Sequence, residues 1–100
     1  MRKIETQMSL AVDLRRNWRS GNTAVVVTGQ LVEVYLHGHL IARQDHADAM
    51  RPVMRFCLVG WNTPTTRSRL NALGAGVYTR KGQAYAPGGV AIGDNEWFGS

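Results

Sequence analysis

The chain predicts an α+β domain: an antiparallel sheet of about five to six strands with two helices packed on it, in the order α-β-β-β-β-α-β-β. Three observations lead there. Apolar residues fall at helical spacing in only two places, near the start and after Thr63. Elsewhere the apolar residues come in short alternating or β-branched runs, which suit strands. Those runs are joined by brief glycine-bearing turns such as His37-Gly38-His39 and Lys81-Gly82, and short turns make antiparallel neighbours.

Residues 3–18 read as the first helix. Ile4, Met8, Ala11 and Trp18 share one face, Leu14 lies one position off it, and Glu5, Asp13, Arg15 and Arg16 point elsewhere. RSGNT (19–23) reads as a loop, because Ser, Gly and Asn stop a helix. AVVVT (24–28) is too short for a helix and is β-branched, hence a strand. Gly29-Gln30 turns the chain into LVEVYLH (31–37), where Val32, Val34 and Leu36 alternate with Glu33, Tyr35 and His37. Gly38 supplies the positive φ of a hairpin turn, and LIARQ (40–44) is the returning strand.

DHADAMRP (45–52) is a polar connection with room for one helical turn before Pro52 breaks it. VMRFCLVGW (53–61) is the most apolar run and predicts a central strand. Thr63 or Thr65 is a natural N-cap for the second helix, with Pro64 at its first position, where a missing N–H costs nothing. Arg67 to Leu73 then makes about two turns, closed by Gly74 in the left-handed region. Leu70 and Leu73 face the sheet, leaving Arg67, Ser68 and Asn71 exposed. GVYTRKGQAYAP (76–87) is a second hairpin turning at Lys81-Gly82, and GGVAIGDNEWFGS (88–100) a short last strand with an aromatic tail.

One hundred residues make a single domain spanning 1–100, with 44% hydrophobic and 19% charged residues in the ordinary globular range. No apolar run approaches the roughly 18 residues of a membrane span, and the start lacks the apolar stretch of a signal peptide. The lone Cys57 sits among apolar neighbours and reads as a small buried hydrophobe; with no disulfide to form, a cytoplasmic location is expected. Net charge is +5, carried by ten Arg and only two Lys. Arginine's planar fork suits phosphates and carboxylates, although a GC-rich genome would produce the same bias.

Catalysis finds no support in the pattern. There is no phosphate-binding glycine loop, HExxH, GxSxG or paired acidic motif, and Cys57 has no base beside it in sequence. His37, His39 and His46 are the only histidines, and a turn at Gly38 would aim the first two apart, as solvated turn residues. The expectation is a protein that is not an enzyme, with no catalytic residue, metal or cofactor.

The sharper reading is contact with the phosphate backbone of DNA or RNA. Arg15, Arg16 and Arg19 cluster at the end of the first helix. Arg67 and Arg69 ride on the second, whose N-terminus carries unpaired N–H groups and positive dipole, with Thr63, Thr65 and Thr66 adding hydroxyls. Trp18 or Trp97 beside arginines would stack a base. The competing structural reading is that the threonines only cap a helix and the arginines only complement helix dipoles.

NWRSGNTAVVV, VEVYLHGHLIA and GWNTPTTRSRLNALGAGVYTRKGQAY together resemble a family of small tailed-bacteriophage proteins with a Thr-Thr-Arg-Ser-Arg-Leu-Asn-Ala-Leu motif. The resemblance covers residue 1 to about 85 and departs at His39, where the family pattern has Asn, and at the longer 45–52 connection. It implies a phage origin, residence in the host cytoplasm, and a role in host takeover, DNA metabolism or counter-defence. It brings no catalytic residue with it. The alternative to nucleic-acid binding rests on the residues: AVVVT (24–28) and the tail EWFGS (96–100) offer a strand edge or aromatic anchor, and a small basic domain suits an inhibitor docking on the acidic surface of a host or bacterial-defence protein, of anti-CRISPR, anti-restriction or polymerase-inhibitor type. An edge strand paired across a two-fold axis would instead make a homodimer.

Overall fold

The computed structural model describes residues 2–47 and 53–99. Helix α1 (Lys3–Asp13) starts after Arg2, whose backbone N–H donates to Glu5 Oε1 at 3.4 Å. It stops five residues short of the predicted end. Arg15 turns into the left-handed region at φ 50°, the Arg15 N–H donates to Val12 and the Arg16 N–H to Ala11, which closes the helix in a Schellman motif. Trp18 therefore opens a strand. Paired with Val25, it packs its ring against the core from the sheet, a tertiary gain that overrides the helical spacing.

That strand, β1 (Trp18–Ser20), occupies part of the segment predicted as a loop and pairs with β2 (Thr23–Thr28). β3 (Leu31–Leu36) and β4 (His39–Asp45) complete the meander. Their tight turn is as predicted, with His37 at φ 52° and Gly38 at φ 78°, the pair of positive values that a two-residue hairpin requires. The register shifts after Val34, which pairs Ala42 while Tyr35 pairs Leu40, so Ile41 is an extra residue and both Ile41 and Ala42 are buried.

β5 (Met54–Phe56) is much shorter than the predicted 53–61 strand and is not central: it lies between β4 and the edge strand β9 (Phe98–Gly99). The chain leaves the ladder after Phe56: the Cys57 N–H still donates to the Ile41 carbonyl of β4 at 2.8 Å, and Cys57 and Leu58 bury their side chains. Residues 48–52 of the predicted connection lie outside the described residues.

Helix α2 (Pro64–Ala72) begins at Thr63 and ends with Gly74 at φ 94°, both as predicted. A second, three-stranded sheet follows: β6 (Tyr78–Arg80), β7 (Gln83–Ala86) and β8 (Val90–Ile92). Asn71 fastens it to α2, its amide accepting from the Val77 N–H at 2.7 Å and donating to the Val77 carbonyl at 2.9 Å. The result is an α+β fold with six strands in the large sheet, where the sequence predicts a single sheet.

α1 packs on β1 and β2 and against α2, which lies on β4. One face of the large sheet is thereby core: Val25, Val32, Val34 and Phe56 meet Met8 and Leu70. Alternation sends Arg19, Val26, Glu33, Arg43 and Arg55 to the opposite face.

Candidate functional site

Contacts between the helices separate the predicted site residues. Ser68 and Arg69 of α2 meet Glu5 of α1, and Ser9 donates to the Ala72 carbonyl at 3.1 Å, so the two helices run parallel. At about 1.5 Å per residue, Thr63 and the exposed Arg15 lie about 20 Å apart along the helix axes. Arg15 and Arg16 are exposed past the end of α1, Arg16 beside Leu10, Leu14 and Trp18. Arg19 is on another surface altogether, the outer face of β1, paired with Ala24.

The α2 residues have structural partners. Thr63 Oγ1 accepts from the Thr66 N–H at 3.2 Å and lies 2.9 Å from the buried Thr66 hydroxyl. Thr65 is half-buried, and Arg67 donates to the carbonyl and side-chain oxygen of Asn62. Thr63→Ala is expected to cost about 1 kcal/mol, read as a lowered denaturant midpoint at unchanged slope.

Arg69 is only 4% exposed. Its Nη1 donates to Glu5 Oε2 at 2.7 Å and its Nε to Thr23 Oγ1 at 3.1 Å. Thr23 donates in turn to Asn22 Oδ1, and the Asn22 amide reaches the His37 ring. Burial pushes the Glu5 carboxyl up, but hydrogen bonds from Ser68, Arg69 and the Arg2 N–H, together with the Arg69 charge, hold it below the ordinary 4.5. This network locks α1, α2 and β2 together, and it leaves Arg69 turned inward, away from any surface ligand.

The outer face of the large sheet carries what the sequence left unassigned. β4 and β5 hold Arg43 and Arg55 directly opposite each other, next to Glu33 on β3 and Gly99 on β9. Among the described residues neither guanidinium has a hydrogen bond or an ion pair. Two acids lie nearby. Asp45 Oδ1 accepts from the Ala47 N–H at 2.9 Å. Glu33 stands directly opposite Arg43, and the Tyr35 hydroxyl beside it has its pKa raised by burial and then by the Glu33 carboxylate. Arg43, Asp45, Val53, Arg55 and Trp97 line a shallow depression of about 260 Å³.

Both arginines occupy outward positions of predicted strands, so the alternation in LIARQ and VMRF was the available signal. Their juxtaposition needed the β4–β5 register, which a 45–52 connection with no hairpin signature does not set. The histidines do not converge on a metal: among the described residues no group of three His, Cys, Asp or Glu is placed to hold one, and His37 and His39 instead lie against the Trp61 ring. No described helix is long and apolar enough to cross a membrane.

The profile of one protein family, described as Kyanoviridae Gp96 protein, matches residues 1–99. No curated protein and no solved structure matches.

Proposed function

We propose that this chain, which belongs to the Kyanoviridae Gp96 protein family and is thus a bacteriophage protein, acts by binding and not by catalysis, with the outer face of its large sheet holding a nucleic-acid backbone. One observation carries the reading: Arg43 and Arg55 stand opposite each other on adjacent strands, and among the described residues neither guanidinium has a hydrogen bond or an ion pair. Like charges in that relation destabilise a sheet, and Glu33 stands opposite Arg43 only, so an anion at Arg55 completes the pair. With their Cα atoms about 5 Å apart across the ladder, two long arginine side chains can converge on one phosphate. Arg19 extends the same face three strands away, roughly 15 Å along the sheet.

Binding to single- and double-stranded oligonucleotides at 50 and 200 mM salt tests this. If the three arginines each neutralise a phosphate, affinity is expected to fall by about tenfold or more between the two salts. An Arg43→Ala/Arg55→Ala variant is expected to bind more weakly, with the slope of log K against log salt shallower by roughly 2. Equal affinity at both salts, or an unchanged slope in the variant, refutes the backbone reading.

A second reading is favoured by the apolar residues on the same face. Val26 is exposed and Leu31 and Leu40 half-exposed beside the arginines, a mixture that protein interfaces share. It makes the chain an inhibitor docked on an acidic host or defence protein. That reading expects a complex from host lysate that survives nuclease treatment and is lost in Val26→Asp.

A further inference from the structure

Resting on the backbone reading, we infer that the depression beside Trp97 takes one nucleotide of a single strand, its base against the indole and its phosphate between Arg43 and Arg55. Three features of the site converge on this.

Among the described residues the Trp97 indole has no aromatic partner. Its neighbour Phe98 is buried on the core side, with its ring 5.7 Å from that of Phe56, which anchors the backbone at position 97. Trp97 itself is 37% exposed, and the described ring contacts pair other aromatics: Phe56 with Phe98, Tyr78 with Tyr85, and Trp61 with two histidines. An ordered, half-exposed indole in a cationic depression is a stacking platform.

Arg55 is preset by a missing side chain. A Cβ at Gly99 would stand 2.7 Å from Arg55 Cδ and 2.8 Å from the Met54 carbonyl, so glycine lets the Arg55 stem lie across β9. That contact restricts the Arg55 stem, which lowers part of the ordering cost of binding.

The depression is also asymmetric. Arg43 and Arg55 supply positive charge, whereas Val53 supplies an apolar wall and Asp45 a carboxylate. The carboxylate repels a second phosphate and offers an acceptor to a base N–H, so base and phosphate have distinct places. Stacking requires a base free of its partner, which a duplex does not present and a single strand does.

The test follows tryptophan emission of the intact protein on titration with an oligothymidylate of about ten residues, the matching duplex, and inorganic phosphate. The single strand is expected to quench emission, and Trp97→Phe identifies the quenched indole by subtraction from Trp18 and Trp61. Trp97→Ala is expected to weaken single-strand binding about tenfold while Trp97→Phe keeps most of it, both with an unchanged melting temperature. Equal binding of single strand and duplex, with Trp97→Ala neutral, overturns the nucleotide site and leaves the backbone reading standing. Competition by inorganic phosphate at matched phosphate concentration reduces the site to an anion contact and overturns it too. Failure of both oligonucleotides to bind at 50 mM salt refutes the backbone reading itself.

Discussion

Arg69→Met is expected to destabilise the fold by about 3–5 kcal/mol, because it strands the Glu5 carboxylate in the interior without its counter-charge. Glu5 is 2% exposed, and Arg69 supplies both its ion pair and one of its hydrogen bonds. Ser68 and the Arg2 N–H remain as donors, but neither carries charge to offset burial. In a domain of this size each kcal/mol moves the melting temperature by about 4–8 °C, so a drop of about 15 °C or more is expected. Glu5→Leu/Arg69→Met should recover much of that loss, since the cost of a broken buried pair lies mainly in the charge left behind. A double-mutant cycle by thermal and denaturant unfolding reads the coupling. If Arg69→Met melted within a few degrees of the wild type, the pair would not be what holds the helices to the sheet.

The same pair sets a pH dependence. Because the folded-state pKa of Glu5 is depressed, its share of stability is present above the unfolded value near 4.5 and is lost as pH falls through the folded one. Glu5→Gln removes that share at every pH. The stability gap between wild type and Glu5→Gln is therefore expected to be constant near neutrality and to narrow on acidification below about 4.5.

Arg69 also shows why the sequence misleads at this helix. Arginine is rarely fully buried without a partner, and its partner here is 64 residues away, on an element whose contact with α2 no local pattern announces. Legible features were those governed by neighbours along the chain. The Thr63 cap with Pro64 after it, the Gly74 stop and the His37-Gly38 and Lys81-Gly82 turns follow from backbone rules spanning a few residues. Trp18 was misread because a position at helical spacing became more favourable in a strand once Val25 stood opposite it. The second sheet was folded into the first because three short strands carry no mark of which sheet they join. The outer-face arginines were visible as residues but not as a pair, since register is a property of two strands and of the turn between them.

Phe56→Ala is expected to cost about 3–5 kcal/mol, the range for truncating a fully buried aromatic ring. Phe56 is 2% exposed, stands between Ala42 and Phe98 in the ladder, and is the last residue of β5 before the chain departs. Its ring joins the edge strand β9 to the centre of the core, so the cavity opens where two-residue β9 has little else to hold it. Phe98→Ala, at 9% exposure and on the edge, should cost less because solvent and chain can collapse into the gap. The two rings touch, so the double variant should lose less than the sum of the singles. Strict additivity would mean that β9 is held by its backbone pairing alone. In that case Trp97, one residue before Phe98, would lose the anchor that keeps its indole facing the arginines. The stability of this edge and the proposed nucleotide site on the outer face are therefore coupled, and Phe98→Ala should weaken single-strand binding even where the domain remains folded.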